Sequence, residues 1–181
     1  MDAAEAESRA KHELRAAALA ARRGRDAEQL ERARGALRAV VLTRTDALAP
    51  ACVAGYEPLR TEPGSRQLLE NLHARGIRVL VPLTRADRDL EWREWPTGES
   101  LGRSAIRAAD LVLVPALAVD QRGTRLGRGG GSYDRALTRT DAPRVALLFD
   151  DELVAELPRD RWDVPVDAVA RPAGWRDLDR S

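Results

Sequence analysis

A single cysteine, Cys52, among 181 residues leaves no partner for an internal disulfide, so a disulfide-stapled small fold is excluded. The thiol lies in an apolar, strand-like run and reads as a small buried hydrophobe, not a nucleophile. A dominant charge is also missing. Thirty basic residues stand against twenty-nine acidic ones, a net charge of +1, which gives no overall field to hold nucleic acid or an anionic membrane. No stretch approaches the roughly twenty consecutive apolar residues that span a bilayer. The N-terminus is acidic, then rich in Ala and Arg, with no apolar core of a signal peptide, so a cytoplasmic protein is expected. Arginine and alanine far exceed lysine and isoleucine, a compositional bias that says nothing of mechanism.

What remains is the composition of one soluble globular domain over residues 1–181, 44% apolar and too short for two comfortable cores. Helical and strand-like segments alternate along it. Residues 3–44 are dense in Ala, Leu, Glu and Arg, with Gly24 and Asp26 breaking them into two helices, and Pro50 closes the region. Ala51 to Tyr56 reads as a strand, and Glu62 to Ser65 as a turn with Ser65 as N-cap. A helix follows from Arg66 to Ala74, stopped by Gly76. Strands are expected at Ile77–Val81, Leu90–Trp95, Leu111–Val114, Val145–Phe149 and Val166–Val169. Helical pieces are expected at Ala105–Ala109, Asp134–Thr138 and Asp151–Glu156. The βαβ pattern predicts a three-layer α/β/α fold with a mainly parallel, Rossmann-like sheet.

The densest chemistry lies between Leu111 and Arg135, LVLVPALAVDQRGTRLGRGGGSYDR. An apolar strand runs into a loop in which Arg122, Arg125 and Arg128 alternate with Gly123, Gly127, Gly129, Gly130 and Gly131. Glycines let backbone N–H groups approach phosphate oxygens, and guanidinium forks add charge-assisted hydrogen bonds, so the loop suits a polyphosphate. Asp134 places a carboxylate beside it, as a magnesium ion would require. The loop matches neither the G-x-G-x-x-G dinucleotide fingerprint nor the G-x-x-x-x-G-K-[ST] phosphate loop. Its place at a strand-to-helix junction of an α/β sheet is nevertheless where such folds bind ligands.

The run PALAVDQRGTRLGRGGGSYDRAL resembles the signature of the 5-formyltetrahydrofolate cyclo-ligase family, P-x-L-A-x-D-x-x-G-x-R-L-G-x-G-x-G-Y-Y-D-R. Ser132 departs from it, standing where the family usually carries Tyr or Phe. Three further segments extend the likeness. Lys11-His12-Glu13-Leu14-Arg15 is similar to the family's K-x-x-L-R element, Tyr56 to Ser65 occupies the place of its strand, loop and E-x-x-T element, and Asp163 to Asp167 resembles D-x-x-V-D. Trp162 precedes Asp163 where a histidine is common, and the loop between Trp95 and Ser100 is shorter than in bacterial relatives.

The resemblance implies a CoA-transferase-like α/β fold and an ATP-dependent ligase that forms C–N bonds. Its reaction closes 5-formyltetrahydrofolate to 5,10-methenyltetrahydrofolate with release of ADP and phosphate. ATP-binding residues implied are Lys11, Arg15, Arg125, Leu126, Gly127, Arg128, Gly129, Gly130, Gly131, Ser132 and Tyr133, with Arg125, Arg128 and Tyr133 catalytic. Folate contacts are implied at Arg15, Glu57, Glu62, Arg128 and Ser132. A carboxylate such as Glu62 can accept two hydrogen bonds from the donor-rich edge of a 2-amino-4-oxopteridine. Asp134 and Asp163 are implied to hold Mg²⁺. His12 and His73 fall outside these elements, and Trp92 or Trp95 is a candidate to wall the pocket in place of the missing aromatic. A monomer or homodimer is expected, with no membrane and no nucleic acid as partner. The competing class is a degenerate paralogue that binds a nucleotide or RNA; a binder of RNA phosphate would not need Asp134, Asp163 and Glu62 together.

Overall fold

The computed structural model describes residues 3–179. Two long helices open the chain, α1 (Ala3–Arg23) and α2 (Ala27–Leu48). Gly24 and Asp26 separate them as expected: Gln29 N donates to the Asp26 carboxylate at 2.7 Å, and Asp26 N donates back to the Gln29 side chain, closing a capping box. Strand β1 (Cys52–Ala54) follows, then α3 (Arg66–Ala74), whose first turn is capped by Ser65 Oγ accepting from Leu68 N. Gly76 ends α3 in a left-handed conformation, φ +77°.

Strands β2 (Arg78–Thr84) and β3 (Leu90–Glu94) form a hairpin. A 3₁₀ turn at Arg103–Ala108 leads to β4 (Leu111–Pro115), and then come β5 (Ala118–Asp120), β6 (Arg125–Leu126) and α4 (Ser132–Leu137). The chain ends through β7 (Arg144–Leu147), a 3₁₀ turn at Asp150–Glu152, β8 (Leu153–Val154), β9 (Ala168–Arg171) and β10 (Gly174–Asp177).

Seven strands make the main sheet in the order β10-β9-β7-β4-β1-β2-β3. The five inner strands run parallel, and β3 and β10 close the edges antiparallel. The mainly parallel α/β architecture is therefore as expected. The period of two in each strand sorts the core into two layers. Leu111 and Leu113 pack with Val53, Val79, Leu37, Val41 and Leu72 under α2 and α3. Val112 and Val114 pack with Ala54, Leu80, Trp92, Ile106, Ala136 and Leu137 on the opposite face. Cys52 is buried in that second layer. Among the described residues no helix is long and apolar enough to cross a membrane.

The structure departs from the sequence expectations in three places. A second, three-stranded sheet, β6-β5-β8, stands beside the main one, and its strands are too short to show a pattern. Asp151 to Glu156 is not a helix: Glu152 folds back to accept from Phe149 N and Arg22, and Leu153–Val154 pairs in parallel with Val119–Asp120. The final strand lies two residues later than expected, at Ala168–Arg171, and turns into the edge strand β10.

Candidate active site

Strand β1 sits between β2 and β4, so the chain leaves it in one direction and returns on its other side. At such a switch point the loops beyond the carboxyl ends of adjacent strands diverge and leave a crevice. A cavity of about 700 Å³ lies there, lined by Tyr56 and Glu57 after β1, Pro82 and Thr84 at the end of β2, Pro115 at the end of β4, and Ala116 and Leu117 just beyond it. Its volume is within the range of natural small-molecule sites.

The glycine-arginine loop forms one wall. Its hairpin, β5–β6, is shaped by Asp120, whose buried carboxylate accepts from Arg122 N, Thr124 N and Leu157 N. This aspartate of the signature is therefore architectural, and it delivers Arg125 and Leu126 to the cavity. Arg125 donates to Asp134 Oδ1 at 2.9 Å and to Pro115 O at 3.3 Å, with its Nε left without a partner among the described residues. Gly129 and Gly131 hold φ of +93° and +64°, a region that side chains with a Cβ resist, and Gly131 immediately precedes α4. Residues 125–133 all line the cavity.

Helix α1 crosses the mouth of the cavity. Arg15 Nε donates to Gly127 O at 2.9 Å, fixing the loop to the helix, and Lys11 Nζ reaches Asp163 Oδ2 at 2.6 Å. Asp163 Oδ2 also accepts from Asp160 N, and Asp134 Oδ1 from Val164 N, so both carboxylates are oriented by the same terminal segment. Asp134 Oδ2 and Asp163 Oδ1 have no hydrogen-bond partner among the described residues.

Opposite the loop, Glu62 is buried at 5% exposure. Leu59 N donates to its Oε2 at 2.8 Å, and Arg128 Nε lies 3.5 Å from its Oε1 across the cavity. Glu57 is exposed at the rim and is paired with Arg93 at 2.9 Å. Tyr133, the second residue of α4, has a buried hydroxyl with no described partner. Burial raises its phenol well above the ordinary value, with the Arg125 charge opposing, so it is neutral and able to donate.

The structure thus gathers Lys11, Arg15, Glu57, Glu62, the 125–133 loop, Asp134 and Asp163 around one cavity. Other candidates fall outside it. Arg122 is exposed at the β5–β6 turn, away from the lining. Trp92 is fully buried in one core layer, and Trp95 packs in the other with His73 edge-on at 5.6 Å. Neither tryptophan walls the pocket, because both side chains are buried in the core layers. His12 is exposed on α1. Several lining residues escaped the sequence reading, among them Tyr56, which looked like the end of a strand, and Arg22, one arginine in an Arg-rich helix.

The model of the 5-formyltetrahydrofolate cyclo-ligase family matches residues 7–172. The 5-formyltetrahydrofolate cyclo-ligase of Mycolicibacterium smegmatis is 39% identical over 141 residues, which cover 66% of this chain and 73% of the relative. The Escherichia coli enzyme of the same name is 40% identical over 67 residues, 35% of this chain and 37% of that one. Among solved structures, the 5,10-methenyltetrahydrofolate synthetase of Aquifex aeolicus superposes with a TM-score of 0.79 at 25% identity, covering 93% of this chain and 92% of its own. The Mycoplasma pneumoniae synthetase shares the fold with a TM-score of 0.78 at 22% identity, covering 90% and 98%. The signature first met as a run of glycines and arginines is thus one wall of a pattern that extends from α1 to β9, and the chain belongs to the 5-formyltetrahydrofolate cyclo-ligase family.

Proposed function

We propose that this chain closes 5-formyltetrahydrofolate to 5,10-methenyltetrahydrofolate in this cavity, using ATP to activate the formyl oxygen. The observation that carries the proposal is the approach of Arg128 Nε to Glu62 Oε1 at 3.5 Å. An arginine of the phosphate loop and a carboxylate suited to a pterin edge meet across one cavity, so two ligands held by them would meet as well.

The N5-formyl group is an amide, with a poor electrophile at carbon and a poor leaving group at oxygen. In the proposed reaction the formyl oxygen attacks the γ-phosphorus and ADP departs. N10 then adds to the carbon of the phosphorylated imidate, and inorganic phosphate leaves, carrying the N10 proton, as the methenyl bridge forms. The chain contributes position and charge, with no covalent enzyme intermediate. Lys11, Arg125 and Arg128 neutralise phosphate oxygens, Arg15 holds Gly127 and so fixes the loop, and the neutral Tyr133 hydroxyl is a hydrogen-bond donor on the same wall. Glu62 accepts from the pterin's ring N–H and amino group.

Asp134 and Asp163 suit magnesium, since each offers an oxygen not taken by a protein hydrogen bond. Mg²⁺ keeps several waters and binds through one or two carboxylates plus substrate phosphates, so a pair is enough. When bound it would neutralise charge on the β- and γ-phosphates. Among the described residues no group of three or more His, Cys, Asp or Glu has the spacing of a protein-only metal cage.

The cavity is lined by five cationic side chains and six acidic ones. A groove for RNA phosphate would not need Glu62, Asp134 and Asp163 together at one cavity, which favours the enzyme over a nucleic-acid binder. The test is to mix the protein with 5-formyltetrahydrofolate, ATP and Mg²⁺ and follow the absorbance of the methenyl product. Product that depends on all three is expected; ATP binding without product would overturn the proposal.

A further inference from the structure

Several buried polar atoms have no hydrogen-bond partner among the described residues, some of them in the core and some at the cavity. The indole nitrogens of Trp92 and Trp95 lie in the core layers, away from the cavity. The hydroxyls of Tyr56 and Tyr133 and the Nε of Arg125 belong to side chains that line the cavity. Tyr133 and Arg125 are part of the signature loop. Tyr56 is not, and its hydroxyl has no role in the reading given so far.

Tyr56 is 7% exposed, and it leaves β1 directly beneath the Glu62 turn. Its hydroxyl touches that turn closely: a Cβ built on Gly64 would stand 3.2 Å from Tyr56 Oη. The loop therefore carries glycine at a point where a side chain would press on the phenol. A phenylalanine would fill the same apolar space without burying an unpaired hydroxyl, which is the costlier arrangement in a ligand-free protein. Burial raises the phenol well above its ordinary value, and the nearby Glu62 charge adds to the rise, so the group is a neutral O–H throughout the physiological range.

We propose that the Tyr56 hydroxyl is a specificity-determining donor for the reduced folate, hydrogen-bonding the 4-oxo group of the pterin while Glu62 takes the adjacent ring N–H and 2-amino group. This rests on the cyclo-ligase reading of the cavity. The chemistry follows from the ring: the 4-oxo acceptor is bonded to the carbon next to the N–H that a carboxylate at Glu62 would receive. A hydroxyl placed beside Glu62 completes an acceptor-donor pair that matches this edge; it could accept from a 4-amino ring only by turning its own buried proton to where no acceptor is described, which disfavours that ring.

The variant Tyr56→Phe tests it, because it removes one oxygen and keeps the ring. KM for 5-formyltetrahydrofolate should rise about tenfold, the loss of one buried hydrogen bond. KM for ATP should stay within about twofold, and the thermal midpoint should be unchanged or higher, since no partner is lost in the ligand-free protein. A 2,4-diaminopteridine folate, used as a competitive inhibitor, should be discriminated against by the wild type and less strongly by the variant, in which Glu62 alone still selects for the ring N–H. An unchanged folate KM, a rise confined to ATP, or undiminished discrimination against the 4-amino ring would each overturn the proposal. The wild-type control separates it from its premise. A wild type that forms no methenyl product overturns the cyclo-ligase reading, whereas a productive wild type matched by Tyr56→Phe overturns the hydrogen bond alone.

Discussion

Arg125 and Arg128 stand three residues apart with the same charge, yet the fold uses them differently. The Arg125 side chain is 4% exposed and gives its two terminal nitrogens to Asp134 and Pro115 O, leaving Nε without a partner among the described residues. The Arg128 side chain is 46% exposed and has only the loose approach to Glu62. A pair so exposed contributes little to stability, and its guanidinium is free to move to a phosphate. Arg128→Ala should therefore weaken ATP binding about tenfold to a hundredfold, the range of a lost charged hydrogen bond, with no shift in the denaturation midpoint. Arg125→Ala should do both, because Asp134 is left without its cation at a half-buried site; a stability loss of about 2–4 kcal/mol is expected in urea titrations. Equal ATP affinity for Arg128→Ala and wild type would remove Arg128 from the phosphates.

At the scale of elements, α4 is only six residues long and needs support from outside itself. The β2–β3 hairpin provides it. Asp89, at the hairpin turn, takes both guanidinium nitrogens of Arg139 at 2.9 and 2.6 Å, with Arg103 Nη1 at 3.2 Å, and Arg135 donates to Arg88 O. The bonds from Arg139, with a smaller pull from Arg103, hold the Asp89 carboxyl down to about 2, below its ordinary 3.8. A carboxylate depressed in the folded state stabilises it fully above the unfolded value, and that contribution fades as pH falls from about 4 towards 2. Asp89→Asn should cost about 1–3 kcal/mol at pH 7. The gap from wild type should close near pH 2, read from urea midpoints at the two pH values. A gap that persists at pH 2 would mean the brace is not ionic.

Legibility in the sequence is uneven among the elements. Long or strongly patterned segments such as α2, β4 and the capped helix α3 announce themselves, because propensity, caps and period agree. The two-residue strands β6 and β8 carry no period, and Asp151 to Glu156 reads as helix until Glu152 is drawn away by Arg22 in α1, a partner 130 residues distant. The site divides in the same way. Its loop, Glu62 and Asp163 are legible through the family pattern. Tyr56 and Arg22 are not, since a tyrosine at a strand end and one arginine among many carry no local signal until the fold places them beside the cavity.

On the scale of the whole molecule, the question is what holds α1 over the site. Its apolar contribution is small, mainly Ala18 and Leu19 against Leu117, Ala118, Leu126 and Leu157. The remainder is polar: Lys11 to Asp163, Arg15 to Gly127 O, and Arg22 to both Glu152 oxygens and Ala116 O. Arg22 and Glu152 are the buried members, with side chains 1% and 8% exposed. Glu152→Gln keeps the shape and removes the charge, leaving a buried guanidinium underpaired at a cost of about 3 kcal/mol. Because the other attachments of α1 are few, that cost should appear as local opening and not as global unfolding. Hydrogen exchange should therefore quicken across residues 5–23 of the variant, while β4 and β7 keep their protection. In the wild type, ATP with Mg²⁺ should slow the same segment, by up to about a hundredfold at a hundred times the dissociation constant, because an open α1 forfeits the contacts of Lys11 and Arg15. Exchange in α1 that ignores the nucleotide would separate the helix from the phosphate site, leaving the glycine-arginine loop to bind ATP without it.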